Sequence, residues 1–225
     1  NLKILLFNNR IYGLTKGQYS PTSEVGKLTK SSPMGSLDAP FNPVSLAIGA
    51  EASFVARTVD SDRKHLTEVL RAAADHPGTA LVEIYQNCNI FNDGAFEVLK
   101  DKQQAEEAVI RLEHGKPIRF GVDQAKGVVR DPATGDLQVV DVTPENEADI
   151  LVHDAHNASP TTAFALSRLA DPDTLHHTPI GVFRSADRPV YDTLMSDQLD
   201  EAVERQGQGD LSALLTGNDT WTVAG

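Results

Sequence analysis

An alternation of apolar runs and amphipathic segments over residues 1–85 limits the fold of this sequence more than any other feature. The apolar run 2–7 ends in two asparagines and is typical of a strand that is covered on both faces. The runs 53–59 and 79–85 have the same character. Between them, apolar residues at helical spacing predict a helix from Asp62 to Ala74. This order of elements predicts an α/β fold with a parallel sheet.

A long irregular stretch, 8–41, follows the first apolar run and leads to a helix that Asn42 and Pro43 are expected to begin. It is rich in Gly, Ser, Thr and Pro. Loops longer than about 12–15 residues in a compact domain are usually functional or disordered. Because open α/β sheets bind ligands at the carboxyl ends of their strands, the beginning of this loop is the first place to look for function.

After residue 85 the predicted elements become short. The patterns predict helices and strands at the following positions: helices over 103–111, 159–170 and 190–206, and strands over 118–122, 127–130 and 137–142. We place a domain boundary after residue 113. Residues 1–113 are then one domain, and residues 114–225 are an appended C-terminal α+β segment.

Composition limits the partners and the compartment. Thirty-two acidic residues against 20 basic ones give a net charge of -12, which argues against a general nucleic-acid binder. One cysteine excludes an intramolecular disulfide framework and a zinc site made of several of the chain's own thiolates. No apolar run approaches the ~20 residues that cross a bilayer. We therefore expect a cytoplasmic protein without a membrane partner.

The residues that follow the first strand have the chemistry of a ligand site. Asn8 and Asn9 stand where the strand ends, and an asparagine oxygen with a nearby main-chain carbonyl can bind Mg²⁺. Gly13 and Gly17 would allow the backbone to approach a ligand closely. The same residues also fit an ordinary solvated turn, which is the commoner case for such a composition.

The sequence Tyr-Gly-Leu-Thr-Lys-Gly-Gln at 12–18, with the asparagines before it, resembles the second half of the thiamine-diphosphate signature of 2-oxoacid:ferredoxin oxidoreductase β subunits. The resemblance implies the carboxyl-terminal part of a parallel-sheet thiamine-diphosphate-binding fold. It implies that Asn9 and the main-chain oxygen of Ile11 bind Mg²⁺, with Asn8 as the alternative to Asn9. The implied cofactor-binding residues are Asn9, Ile11, Tyr12, Gly13, Leu14, Thr15 and Gln18. Of these, Leu14 and Thr15 are implied to line the reaction pocket as the catalytic candidates.

The first half of that signature, a Gly-Asp-Gly segment that gives an aspartate to Mg²⁺, is absent from this sequence. The sequence also begins at Asn1 inside a run that is typical of an inner strand. We therefore expect further residues upstream of Asn1 that complete the metal site.

Cys88 lies in a polar loop, 86–93, directly after the third predicted strand. Lone cysteines are most often buried or chemically inert. In the resembled family, a cysteine at this place is the fourth ligand of a [4Fe–4S] cluster whose other three ligands lie upstream. Because a cluster needs four thiolates, Cys88 can supply only one of them.

The resemblance implies a β subunit of an enzyme that oxidatively decarboxylates a 2-oxoacid, most closely 2-oxoglutarate, and forms succinyl-CoA, carbon dioxide and reduced ferredoxin. The implied cofactors are thiamine diphosphate, Mg²⁺ and the [4Fe–4S] cluster. The implied partners are an α subunit in an α2β2 heterotetramer, ferredoxin, the 2-oxoacid and coenzyme A. Three alternatives remain: a pyruvate-specific member of the family, a non-oxidative thiamine-diphosphate decarboxylase or synthase, and a catalytically silent assembly subunit.

The C-terminal region offers weaker signals. His153 with His156, and the pair 176–177, have ligand-type side chains, although polar surface clusters are far commoner than metal sites. The run 181–185 and the tail around Trp221 resemble the C-terminal extension of the family, which implies packing and subunit contacts.

Overall fold

The three apolar runs form strands β1 (Lys3–Asn8), β2 (Phe54–Val59) and β3 (Ala80–Tyr85) in a computed structural model that describes residues 2–223 and residue 225. These strands pair in parallel in the order β1-β3-β2. Helices α1 (Pro43–Gly49) and α2 (Arg63–Asp75) lie between them in the chain. The predicted α/β fold with a mainly parallel sheet is therefore confirmed.

Both helices begin at the residues that the sequence indicated. The Asn42 side-chain oxygen accepts a hydrogen bond from the Ser45 amide at 3.0 Å, and Asp62 accepts one from the His65 amide at 3.1 Å. Each bond satisfies an amide that the first helical turn leaves without a partner.

The helices cover opposite faces of the sheet. Val55 packs in the same cluster as Val44 and Ile48 of α1, whereas its neighbours Phe54 and Ala56 pack with α2. Adjacent residues of a strand point to opposite faces, so β2 is covered on both sides.

Within the described residues, the first strand is not covered on both faces, and its predicted place inside a larger sheet stays a prediction. It pairs only with β3 and forms the edge of the sheet. Leu5 is 46% exposed and Phe7 is 59% exposed. Since α1 and α2 pack over β2 and β3, the apolar side chains of β1 remain open to solvent in the part of the chain that the structure describes.

The remaining α-helices and β-strands of the compact unit Asn1–Arg188 are, in chain order, α3 (Lys102–Ala108), β4 (Val109–Leu112), β5 (Arg119–Phe120), β6 (Lys126–Arg130), β7 (Leu137–Asp141), α4 (Thr161–Ser167) and β8 (Thr178–Ser185). Strands β5, β6 and β7 form an antiparallel sheet of three strands. The helix predicted over 103–111 ends earlier than expected, at Ala108. Val109 and Ile110 instead pair with β8, where their β-branched side chains pack well.

Strand β8 joins the main sheet between β2 and β4, antiparallel to β2 and parallel to β4. It comes from the segment predicted to be an appended domain, yet it completes the five-stranded sheet of the first one. The boundary after residue 113 stays a prediction. By compactness, the chain divides after Arg188.

The second compact unit, Pro189–Gly225, contains α5 (Tyr191–Gln206) and α6 (Leu211–Thr216). Neither helix buries a residue, and Trp221 is 84% exposed. Within the described residues, every helix is too short or too polar to span a bilayer.

A buried ion pair lies at the centre of the parallel strands. Arg57 of β2 stands opposite Glu83 of β3, and its Nε donates to the Glu83 carboxylate at 2.7 Å. Both side chains are almost completely shielded from solvent. The Arg57 guanidinium also donates to the Pro179 carbonyl and lies 5.1 Å from the Tyr85 ring centroid. A charge at this depth is tolerated only with a partner.

We predict that Glu83→Gln lowers the free energy of unfolding by about 3 kcal/mol or more, because it leaves the Arg57 charge buried without its counter-ion. Urea denaturation followed by circular dichroism measures the change. Glu113→Gln is the matched control, since its ion pair with Lys116 is exposed and should contribute little. Equal effects of the two substitutions would contradict the role given to Glu83.

Candidate functional site

The junction between β1 and the loop 9–41 is fixed by Asn8. Its Nδ2 donates to Glu83 Oε1 at 2.7 Å, and its Oδ1 accepts from Thr22 Oγ1 at 2.7 Å and from the Arg10 amide at 3.1 Å. The side chain is buried. Asn8 is therefore engaged by the protein on both its donor and its acceptor side.

Asn9 has a different environment. It is half-buried, and its Oδ1 accepts a hydrogen bond of 3.3 Å from the Ile11 amide. This turn holds the amide oxygen next to the backbone of Ile11, whose side chain is buried. Of the two asparagines, Asn9 has the side chain with fewer hydrogen bonds to the rest of the protein.

Arg10 stabilises the turn between these residues and was not singled out by the sequence analysis. It has a positive φ of 56°, and its buried guanidinium donates to the carbonyls of Thr22 at 2.9 Å and Pro172 at 2.8 Å. Its carbonyl accepts from Ser23 Oγ at 2.6 Å. These partners lie far along the chain, so local sequence patterns carry no signal for them.

The predicted cofactor-binding run 12–18 forms a closed loop. The Tyr12 amide donates to the Gln18 carbonyl at 2.8 Å, and the Gly17 amide donates to the Tyr12 carbonyl at 3.0 Å. Leu14 and Thr15 lie at its tip, where Leu14 is 96% exposed. A leucine presented in this way can contact only a molecule outside this part of the chain.

The loop glycines approach an aromatic ring. A Cβ at Gly13 would lie 3.6 Å from the Phe91 ring, and a Cβ at Gly17, whose φ is +98°, would lie 3.3 Å from it. The sequence suggested that these glycines allow the close approach of a ligand. In the structure, the ring of Phe91 from the Cys88 loop makes that approach.

Cys88 is a half-buried free thiol in the loop after β3. The backbone N–H of Asn92 donates to the Cys88 carbonyl at 2.9 Å and closes a short turn that contains Cys88. The Asn92 side chain donates to the Asn9 carbonyl at 2.9 Å. The two stretches that the sequence marked separately, at Asn9 and at Cys88, therefore lie side by side.

A small cavity of about 180 Å³ lies behind the β1 junction. Its lining includes the buried polar side chains of Asn8, Arg10, Arg57 and Glu83, together with Tyr85. Burial raises the pKa of the Tyr85 phenol to about 12, so this residue stays a neutral hydroxyl near pH 7. The buried charges of this wall have partners in the protein: Arg57 pairs with Glu83, and Arg10 pairs with Glu24.

The long loop after β1 contains Lys16, Lys27 and Lys30, which have different environments. Lys27 donates to the Asn92 side chain and to Glu24 at 2.9 Å. Burial opposes ionisation of Glu24, but the hydrogen bond from Lys27 and the nearby Arg10 charge hold the pKa of its carboxyl below the usual value. Lys16 and Lys30 are exposed.

The histidines make contacts within the protein. His153 is buried and its Nε2 pairs with the Val182 carbonyl at 2.8 Å, while burial lowers the pKa of its imidazole. His156 Nδ1 pairs with the Ser185 carbonyl at 2.8 Å, and His177 packs edge-on against Phe120. Across residues 2–223 and 225, no group of three or more His, Cys, Asp and Glu side chains could hold a metal ion.

The donor atoms at the carboxyl end of β1 fit a hard cation better than a soft one. The Asn9 amide oxygen and the Ile11 carbonyl oxygen are neutral oxygen ligands, the type that Mg²⁺ accepts together with phosphate oxygens and a carboxylate. Cys88 offers a single thiolate, which is at most one of the four ligands of an iron–sulfur cluster. Asn9 and Ile11 therefore supply part of a Mg²⁺ site, and Cys88 could supply one ligand of an iron–sulfur cluster.

Comparison with known proteins identifies relatives of this chain. Residues 1–84 match the family described as thiamine pyrophosphate enzyme, C-terminal TPP binding domain. The chain is 58% identical over 225 residues to 2-oxoglutarate oxidoreductase subunit KorB of Mycobacterium tuberculosis, covering 99% of this chain and 59% of that protein. It is 32% identical over 155 residues to 2-oxoacid:ferredoxin oxidoreductase subunit beta of Saccharolobus solfataricus, covering 65% of this chain and 49% of that protein.

A solved structure has the same fold. It is 2-oxoglutarate:ferredoxin oxidoreductase from Magnetococcus marinus with 2-oxoglutarate, coenzyme A and succinyl-CoA bound, and it matches with a TM-score of 0.64 over 98% of this chain and 59% of that one. At 22% identity this likeness shows the fold alone. The chain spans less than two thirds of the length of these relatives. Over the residues that it spans, the chain belongs to the β-subunit family of the 2-oxoacid:ferredoxin oxidoreductases.

Proposed function

We propose that this chain is the cofactor-binding part of the β subunit of a coenzyme A-acylating 2-oxoglutarate:ferredoxin oxidoreductase. The observation that carries the proposal is the 58% identity with KorB over 225 residues, a span that includes the Asn9 loop and the Cys88 loop. The reaction converts 2-oxoglutarate, coenzyme A and oxidised ferredoxin into succinyl-CoA, carbon dioxide and reduced ferredoxin. Thiamine diphosphate, when bound, supplies the electron sink that decarboxylation requires.

In this proposal the residues at the carboxyl end of β1 position the cofactor. The Asn9 side-chain oxygen and the Ile11 carbonyl oxygen hold Mg²⁺, and thereby the diphosphate. Residues 12–18 follow directly and form the wall of the reaction pocket, with Leu14 and Thr15 at the tip next to the substrate. Their hydrogen-bonded loop keeps that wall in place.

The exposed tip supports an assembly with a second subunit. Leu14 is 96% exposed, and an apolar side chain that shapes a reaction pocket needs a partner surface to exclude water. We propose that an α subunit supplies this surface in an α2β2 assembly. The exposed helices of the second unit and Trp221 are proposed to make further subunit contacts.

Cys88 is proposed to give one thiolate to a [4Fe–4S] cluster that passes single electrons to ferredoxin. The hydrogen bond between the Cys88 loop and the Asn9 carbonyl supports a cluster close to thiamine diphosphate. The cytoplasmic location remains a prediction from the sequence.

The assembled holoenzyme tests the function. With thiamine diphosphate and coenzyme A present, we expect ferredoxin reduction with 2-oxoglutarate and much slower reduction with pyruvate. A preference for pyruvate would assign the pyruvate-specific alternative. If carbon dioxide is released with thiamine diphosphate, but the protein contains no iron or sulfide and reduces no ferredoxin, the enzyme is a non-oxidative decarboxylase. Absence of any turnover would assign a silent assembly subunit.

We predict that Asn9→Ala and Asn8→Ala have opposite signatures. Asn9→Ala should weaken Mg²⁺–thiamine diphosphate binding about 10- to 100-fold in calorimetry, the order seen when a group that supports a metal site is lost. Its melting temperature should change little, because the side chain makes one long hydrogen bond. Asn8→Ala should instead lower the free energy of unfolding by about 1–3 kcal/mol, since it removes partners from buried groups.

Unchanged cofactor affinity in Asn9→Ala would show that the residue is not a metal ligand. A loss of affinity in Asn8→Ala at unchanged stability would move the assignment to Asn8.

We predict that Cys88→Ala removes the cluster to which Cys88 belongs, because a [4Fe–4S] cluster lacking one thiolate is unstable. Iron and acid-labile sulfide in the holoenzyme should each fall by about four per β subunit. Asn89→Ala in the same loop is the control, as Asn89 is exposed. Iron content that is the same in both variants would contradict the role of Cys88.

A further inference from the structure

Asn92 connects the two loops that hold the proposed cofactor ligands. Asn92 is 6% exposed. The carboxamide nitrogen donates to the carbonyl oxygens of Asn9 at 2.9 Å and Arg10 at 3.4 Å, and the carboxamide oxygen accepts from the Lys27 ammonium. The backbone N–H of Asn92 donates to the Cys88 carbonyl at 2.9 Å. One buried residue thus contacts two separate stretches of chain outside its own loop, at Asn9–Arg10 and at Lys27.

The chemistry of the partners fixes the orientation of the carboxamide. A lysine ammonium only donates and a main-chain carbonyl only accepts, so the nitrogen must face Asn9 and the oxygen must face Lys27. Aspartate has the same shape but no donor, and it would place a carboxylate against two carbonyl oxygens. The site therefore requires an amide.

The other asparagines of the Cys88 loop lack this arrangement. Asn87 binds within its own loop, to Asp93 at 2.7 Å and to the Gly94 amide at 3.0 Å. Asn89 is exposed. Phe91 adds an apolar contact to the loop 12–18, but an apolar contact does not fix the position of a particular carbonyl.

We propose that Asn92 is a positioning residue that fixes the backbone of Asn9 and Arg10 relative to the Cys88 loop. Asn9 and Ile11 flank the anchored carbonyl of Arg10, so a displacement of this turn moves both proposed Mg²⁺ ligands. The backbone N–H of Asn92 also closes the turn at Cys88, so the same residue is hydrogen-bonded to both loops. The two cofactor sites therefore keep one relative geometry. The identity of the cofactors rests on the proposed function, whereas the coupling of the loops rests on the hydrogen bonds alone.

Hydrogen exchange tests the coupling without thiamine diphosphate. In the assembled protein prepared without thiamine diphosphate, Asn92→Asp should accelerate amide exchange about tenfold or more in both loop segments, 9–18 and 88–92, as expected for the loss of a buried donor. Exchange in β2 reports on global folding and should stay unchanged. Asn89→Asp introduces the same chemical change at an exposed position of the same loop and should leave both segments unchanged.

Asn92→Ala removes the carboxamide without adding a charge and should accelerate exchange in the same two segments. Acceleration confined to 88–92, acceleration in neither segment, or equal effects of Asn89→Asp would overturn the proposal. If Asn92→Asp also accelerates exchange in β2, the variant is destabilised globally, and the exchange pattern of Asn92→Ala then decides whether Asn92 couples the two loops.

Cofactor binding supplies a second readout. In the holoenzyme, Asn92→Asp should weaken thiamine diphosphate binding about tenfold and accelerate iron release to a ferrous chelator, and it should alter the electron paramagnetic resonance spectrum of the reduced cluster. A change at only one cofactor would overturn the coupling. Wild-type holoenzyme that binds neither cofactor would instead contradict the proposed function, while the exchange experiment would still decide the role of Asn92.

Discussion

A buried carboxylate fixes the place where the first strand ends and the functional loop begins. Glu83 accepts one hydrogen bond from Arg57 in the middle of the sheet and another from Asn8 at the end of β1, both at 2.7 Å. Because an unpaired charge at this depth would be costly, the three side chains hold one another in place. Asn9 follows Asn8 directly, so its position at the sheet edge depends on a charge pair with which it has no contact.

Around this junction, two loops that are remote in sequence become one structure. Arg10 anchors the first loop through the carbonyls of Thr22 and Pro172. Asn92 then ties it to the loop of Cys88. The loop that carries the proposed Mg²⁺ ligands therefore lies beside the loop that carries the proposed cluster ligand. Leu14 at the loop tip is exposed, as the proposed pocket between two subunits requires.

Local patterns were sufficient for most of the secondary structure. Asn42 and Asp62 begin their helices because a side-chain oxygen only three residues away satisfies the first amides. Local patterns failed where the outcome depended on a distant strand. The segment Val109–Leu112 becomes a strand because β8 is available to pair with it. The apolar side chains of β1 are exposed at the edge of the sheet that the described residues form, and the place of β1 in a larger sheet stays a prediction.

The sequence by itself determined the α/β architecture, the loop at 12–18 and the family to which its residues point, since these depend on short-range periodicity and on contiguous motifs. Only the tertiary structure separated Asn8 from Asn9, by placing a buried carboxylate within reach of the first and leaving the second half-buried. It also gave Arg10 and Asn92 their roles. The Arg10 side chain binds carbonyls 12 and 162 positions away, and the Asn92 side chain binds groups 65 and 83 positions away. Such hydrogen bonds exist only once folding has brought the segments together.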